Sequence, residues 1–230
     1  MASIPEAIRL QNVVFGYDPR RPVLRVDEMV VHAGRRVFLY GPSGCGKTTL
    51  LGIMTGILQP QQGTVTVLGR ELTKMSMSAR DRHRGSEIGY IFQSFNLIPY
   101  LTVRQNVELP CQVHERRRKH ILASTVAEEA ERLVRRLALE KHLDRSVKEL
   151  STGQQQRVAI ARAVIGRPSL VIADEPTSSL DSDRQRAFLD LLFEVCDEAR
   201  ATLVFVSHDR SLMREFDEQL ALSEISQVCA

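Results

Sequence analysis

The sequence has no apolar run approaching the ~18 residues that would span a bilayer, and its opening, Met1-Ala-Ser-Ile-Pro-Glu6, lacks the basic and apolar stretches of a secretory signal. Such a chain is expected to stay in the cytosol unless a partner holds it elsewhere. Cysteine is sparse: Cys45, Cys111, Cys196 and Cys229 lie far apart with no CxxC pair, so nothing suggests a zinc site or a disulfide framework. Reduced thiols are the expectation. A large charge of one sign is also missing, since 31 Lys and Arg against 28 Asp and Glu leave +3, too little to argue for nucleic acid. There is no internal repeat and no low-complexity tail. What remains is a chain of 230 residues, 43% hydrophobic and 26% charged, ordinary for a soluble globular protein. It is long enough for one large domain or a core with a subdomain.

Short β-rich runs fill the first third: Ile8 to Phe15, Glu28 to Val31, Val37 to Tyr40 and Thr64 to Leu68, punctuated by Gly16, Gly34, Gly41 and Gly63. Lys47 to Ile57 reads as a helix among them. Ser76-Met77-Ser78 reads as a loop or helix cap. From Val103 to Ile165 the texture turns to Ala, Glu, Leu and Arg, and Val126, Ala130, Leu133, Val134 and Leu137 recur at helical spacing. This is a helical block inserted into an α/β chain. Beyond it, Leu170 to Ala173 and Thr202 to Val206 are apolar without polar alternation, as strands buried on both faces of a parallel sheet are. The helical stretch Arg184 to Ala199 separates them.

Gly41, Pro42, Ser43, Gly44, Cys45, Gly46, Lys47 and Thr48 match G-x-x-x-x-G-K-[ST], directly after the strand Val37 to Tyr40 and before the helical Thr49 to Ile57. Glycines at this spacing let backbone N–H groups turn inward around phosphate oxygens, and the helix N-terminus adds its positive end. Lys47 brings a point charge to terminal phosphates, and Thr48 a hydroxyl for Mg2+. The partner feature is Leu170-Val-Ile-Ala-Asp174-Glu175, a strand ending in two carboxylates. Alone, the pair reads equally as helix-capping acids beside Pro176. Beside a phosphate loop, Asp174 is expected to bind Mg2+ and Glu175 to take a proton from the attacking water. Together they indicate a nucleotide triphosphatase.

Leu150-Ser151-Thr152-Gly153-Gln154-Gln155-Gln156-Arg157 then resembles the signature sequence of ATP-binding cassette (ABC) ATPases, and the resemblance runs from about Ile8 to Asp209. It implies an α/β fold: a P-loop NTPase core with an N-terminal antiparallel β subdomain and an inserted helical subdomain. The core is expected at 1–95 and 166–230 and the helical subdomain at about 96–165. Read by themselves, Ser151 to Gln154 form a capping box opening the helix Gln155 to Ile165. The resemblance implies that Ser151, Gly153 and Gln154 contact the γ-phosphate bound by a second copy, so that two ATP molecules are sandwiched in a head-to-tail dimer. Tyr17, otherwise a strand-end aromatic, is then the ring near the adenine. Gln93, otherwise a lone structural amide after Ile88 to Phe92, approaches Mg2+ and the attacking water and links core to helical block. His208, otherwise a structural histidine, contacts the γ-phosphate, and Asp181 in Ser179-Leu180-Asp181 helps to organise the dimer interface.

Two departures stand out. Thr152 replaces the usual signature glycine, adding bulk and a hydroxyl where the partner's γ-phosphate should approach. After Leu220-Ala-Leu-Ser-Glu-Ile225 no Asp-Gly turn joins closing strands, so the last strands are expected to be truncated. Cys45 is read as a small space-filling residue whose alkylation should block nucleotide. Arg116-Arg-Arg-Lys119 is read as a solvated helical face. Ile88 to Pro110, including Asn106-Val-Glu-Leu-Pro110, is similar to the macrolide-export, lipoprotein-release and cell-division subgroup of bacterial ABC ATPases. That similarity implies a peripheral subunit on the cytoplasmic face of the inner membrane, partnered by a separate permease with a large periplasmic domain and not by nucleic acid. The alternatives are a soluble ABC ATPase, or a low-turnover nucleotide-dependent scaffold, that transports nothing directly. The cargo leaves no trace in the sequence.

Overall fold

The computed structural model describes residues 5–178, 180–226 and 228; the opening residues 1–4, Ser179 and Cys229 lie outside them. The strands are β1 Glu6–Phe15, β2 Leu24–His32, β3 Arg36–Tyr40, β4 Gln62–Val67, β5 Arg70–Glu71, β6 Ile88–Ile91, β7 Leu170–Asp174, β8 Thr202–Val206 and β9 Glu218–Ala221. The helices are α1 Lys47–Met54, α2 Met77–Glu87, α3 Val103–Val113, α4 Glu115–Lys119, α5 Val126–Arg136, α6 Thr152–Val164, α7 Ser182–Ala199 and α8 Leu222–Ile225. They fall into two compact units, one up to Arg84 together with the chain from Thr202 onward, the other Gly85–Ala201.

In the first unit, β1 pairs antiparallel with β2 on one side and β4 on the other, and β5 extends β4. Period-two alternation turns Leu24 and Val26 inward and Arg25 and Asp27 outward. Pairing with β1 carries β2 past the expected Glu28–Val31 in both directions. β3 lies between β8 and β9, parallel to both, and Phe38, Phe205 and Phe216 pack their rings within 6.0 Å of one another. The end of the chain is more regular than expected. β9 pairs with β3 from Val37↔Glu218 to Tyr40↔Ala221 and runs into α8. A parallel strand arrives by a crossover, so no Asp-Gly hairpin turn is needed to form it. α1 stops at Met54, short of the expected Ile57, because Thr55 caps it and Gly56 follows. Ser76 does cap a helix: its Oγ accepts from Ala79 N at 3.4 Å at the start of α2.

In the second unit β6 and β7 are parallel neighbours, in register from Ile88↔Leu170 to Ile91↔Ala173. Leu170 to Ala173 are all buried, as their unbroken apolar run implied. The helical block is present as α3 to α6. Capping boxes open α3 at Thr102 and Gln105, α5 at Thr125 and Glu128, and α6 at Ser151 and Gln154. On α5, Ala130, Leu133 and Val134 are buried, with Leu137 just beyond its end. The capping box foreseen at Ser151 is present, and the helix begins at Thr152 rather than Gln155.

In the run Arg116 to Lys119, Arg116, Arg118 and Lys119 are exposed as expected of a solvated face, and Arg117 alone departs from it. Arg117 is only 2% exposed, and it donates to Gly85 O at 3.2 Å, Ile88 O at 2.6 Å, Ala163 O at 3.0 Å and Ile165 O at 2.8 Å. Backbone carbonyls at the start of β6 and the end of α6 replace water around the guanidinium, and this satisfaction permits the burial of a charge. Gly166 makes room for the arrangement: a Cβ there would sit 2.4 Å from Arg117 O.

Candidate functional site

In the first unit, Gly41 to Gly46 bridge β3 and α1. Gly44 and Gly46 have φ of +79° and +95°, conformations that glycine adopts without strain. Gly46 is the N-cap of α1 and has no side-chain capping bond, and the helix has no acidic residue in its first turn. Its leading N–H groups and positive end therefore suit an anion. Lys47 Nζ folds over the loop and donates to Gly41 O at 2.9 Å and Pro42 O at 3.0 Å. Thr48 is exposed on the first turn. Cys45 is half-buried, and its Sγ lies 2.6 Å from where a Cβ on Gly41 would stand, so this loop has no room for a side chain at Gly41. Tyr17 is 70% exposed, edge-on to Phe15, and shares a hydroxyl–hydroxyl hydrogen bond of 3.4 Å with Thr49. The exposed ring thus stands beside the phosphate loop. Exposed His208 follows β8, whose neighbour β3 leads into the loop, with Ser207 N donating to Leu39 O at 3.2 Å.

In the second unit Asp174 closes β7, and Tyr90 Oη donates to its Oδ2 at 3.3 Å. Glu175 follows with φ +45°, a left-handed conformation that costs a non-glycine residue energy and that is found where a side chain must be aimed. Gln93 Nε2 donates to Ser178 Oγ at 3.4 Å, so Gln93 is tied to the turn that follows the carboxylate pair. Asp181 is the N-cap of α7, accepting from Arg184 N at 3.0 Å and pairing with Arg184 Nε at 3.3 Å. Ser151, Thr152 and Gly153 are exposed at the N-terminus of α6, with Gln154 half-buried. A cavity of about 640 Å³ opens beside them, walled by Phe188 and Leu191 of α7.

Three residues that bind this unit together were given no individual role from the sequence. Gln156, 3% exposed, donates to Pro176 O at 3.0 Å, which joins the signature helix to the turn after Glu175. Asn106, fully buried, accepts from Ile98 N at 2.8 Å and donates to Ile98 O and Thr102 O at 3.1 and 3.0 Å, clamping the loop before α3. His142 touches Gln154. Only Asn106 had a sequence cue, the Asn-Val-Glu-Leu-Pro stretch. Cys111 is buried nearby, and that burial pushes its thiol up to about 11, leaving it neutral and inert at physiological pH.

A glycine-lined turn between a parallel strand and an uncapped helix, followed later by a strand ending in paired carboxylates, defines a P-loop nucleotide triphosphatase. Its class follows from comparison with known proteins. The family described as ABC transporter matches residues 24–178. The chain is 39% identical over 223 residues to the uncharacterized ABC transporter ATP-binding protein YbbA of Escherichia coli K12, covering 96% of this chain and 94% of that one. It is 36% identical over 201 residues to the lipoprotein-releasing system ATP-binding protein LolD of Pseudomonas fluorescens, covering 86% and 85%. Among solved structures, the dimeric post-hydrolysis state of the ATP-binding cassette MJ0796 bound to ADP and Pi superimposes with a TM-score of 0.78 at 32% identity, covering 93% of each chain. The chain belongs to the ABC transporter family. It is an ATP-binding cassette ATPase subunit, with the P-loop core, antiparallel β subdomain and inserted helical subdomain that the sequence implied. Among the described residues no helix is long and apolar enough to cross a membrane.

Proposed function

We propose that this subunit hydrolyses ATP, with Mg2+, as half of an ATP-sandwich dimer on the cytoplasmic face of the inner membrane. It powers a separate permease with a large extracytoplasmic domain, for export, extraction or mechanical transmission. The carrying observation is the uncapped N-terminus of α1 behind two left-handed glycines, a site built for phosphate. The likeness to LolD supports the permease, and the dimeric MJ0796 cassettes support the sandwich.

Each residue has a task that its chemistry permits. Lys47 exchanges its loop carbonyls for phosphate oxygens. Thr48 and Asp174 offer the oxygen donors that Mg2+ prefers when substrate phosphates complete its shell, and Gln93 adds an amide oxygen. Mg2+ supplies neutralising charge at the phosphates. Glu175 accepts a proton from water as the water oxygen attacks the γ-phosphorus, and the bond to the bridging oxygen breaks to release ADP. His208, and the Ser151, Gly153 and Gln154 of a second copy, donate to the γ-phosphate, Asp181 orders the interface between copies, and Tyr17 stacks on adenine.

The test is to purify Glu175→Gln protein with ATP and Mg2+ from detergent-solubilised membranes of its native cell and to identify what stays bound. Steady-state hydrolysis should be lost while ATP is retained and dimers accumulate. Recovery of a stoichiometric integral-membrane protein with a large extracytoplasmic domain supports the transporter role. Ribosomes, DNA-bound proteins or no partner would overturn it, and wild-type turnover in the variant would remove Glu175 from its role.

A further inference from the structure

His142 closes the 3-10 turn Glu140–His142 that follows α5. Its Nε2 stands 3.0 Å from Nε2 of Gln154, while its Nδ1 is buried and meets no hydrogen-bond partner among the described residues. The Gln154 amide is not free to turn over. Its Oε1 accepts from Ser151 N at 2.9 Å, and Gln154 N donates back to Ser151 Oγ at 3.4 Å, the reciprocal cap that opens α6. The end of the amide that faces the ring is therefore the NH2 group, which can only donate. A neutral imidazole has one donor and one acceptor, so Nε2 must accept and the ring proton must sit on Nδ1. That proton is buried without a partner, an arrangement an isolated ring would not choose. The turn imposes it: His142 N donates to Leu139 O at 2.9 Å, Arg145 N donates to His142 O at 2.9 Å, and Leu139 N donates to Val134 O at 2.9 Å. The ring is thus held from the end of α5.

We infer that His142 is a positioning residue for the signature segment. As its Nδ1–H tautomer it accepts from Gln154, keeps the amide oxygen on Ser151 N, and so fixes the direction of the leading N–H groups of α6. Those groups meet the γ-phosphate bound by a second copy, and the inference rests on that reading of Ser151 to Gln154. His142 touches no nucleotide itself. Its influence should fall on the step in which the two copies close over ATP, not on ATP binding to the phosphate loop of one copy.

Three variants and one spectrum test this. His142→Leu removes the acceptor, His142→Gln restores one on a side chain that reaches as far as the ring Nε2, and Gln154→Leu removes the group being positioned. His142→Leu should lower kcat roughly fivefold or more, the effect of one hydrogen bond made in the transition state, with KM for ATP within about twofold. His142→Gln should recover most of that loss, and the melting temperatures of all three should lie within a few degrees of wild type. Long-range 15N–1H correlation spectra of the wild-type protein, with His142 assigned by its absence from the His142→Gln spectrum, should show the Nδ1–H tautomer. An Nε2–H tautomer overturns the inference. So does wild-type kcat in His142→Leu when Gln154→Leu is impaired, and so does a raised KM with kcat kept. If Gln154→Leu itself turns over normally, the reading of the signature segment fails first and the role of His142 falls with it.

Discussion

Tyr90 donates its phenolic hydrogen to Oδ2 of Asp174 across two parallel strands, at 3.3 Å. Tyr90 stands opposite Ile172, and Asp174 is two residues further along the same face of β7, so the ring reaches its diagonal neighbour. Burial first, and the Asp174 charge second, push the phenol far above its ordinary range. The hydroxyl therefore stays a donor at every physiological pH and holds one oxygen of the carboxylate that is proposed to bind Mg2+. Tyr90→Phe keeps the ring and frees that oxygen to rotate. Its expected cost is about 1 kcal/mol, a roughly fivefold fall in turnover together with a higher Mg2+ requirement. An ATPase titration with Mg2+ checks it, and an unchanged half-saturating concentration would separate Tyr90 from the metal.

Lys47→Ala should weaken ATP binding itself, because the ammonium that rests on Gly41 O and Pro42 O is the group proposed to bind the terminal phosphates. Removing a charge-assisted contact predicts a loss of about tenfold or more in affinity. Calorimetric titration reads it directly, and unchanged affinity counts against the phosphate-site assignment.

Thr152 occupies the first helical position of α6, exposed, where the usual signature has glycine. The capping box beside it is made by Ser151 and Gln154, so the cap survives substitution of Thr152. Thr152→Gly should change turnover less than about tenfold. Steady-state kinetics decide, and loss of all activity would make the threonine part of the site.

What the sequence disclosed divides along physical lines. β7 and β8 were legible because strands buried on both faces read as unbroken apolar runs, and α6 because a capping box is a local pattern. The phosphate loop was legible because its chemistry lies in eight consecutive residues. α2 was not foreseen: it buries no residue, so it carries no hydrophobic period to detect. His142 lies twelve positions from Gln154, and no spacing rule connects a turn after one helix to the cap of the next. Arg117 was misread for a related reason. A run of four cations reads as solvated unless the carbonyls waiting for one of them, on Gly85, Ile88, Ala163 and Ile165, are already placed.

Arg117 also supplies the sharpest stability test. Burial brings its guanidinium down to about 10, still well above neutral pH, so it works as a cation. It has four carbonyl partners, and it sits where the beginning of β6, the route to Gln93, meets the end of α6, the helix that begins at the signature. Arg117→Met fills much of the volume but removes the donor from three buried carbonyls and one half-buried one, a loss of about 3–5 kcal/mol by analogy with broken buried ionic contacts. For a chain of this size that corresponds to a melting temperature lowered by roughly 10 °C. Arg117→Lys keeps the charge but cannot spread it over the same fork of acceptors, because an ammonium has three donors at one point. It should fall between wild type and Arg117→Met. Scanning calorimetry of the three proteins gives the order, and a lysine variant as stable as wild type would show that charge alone, without the planar geometry, holds β6 to α6.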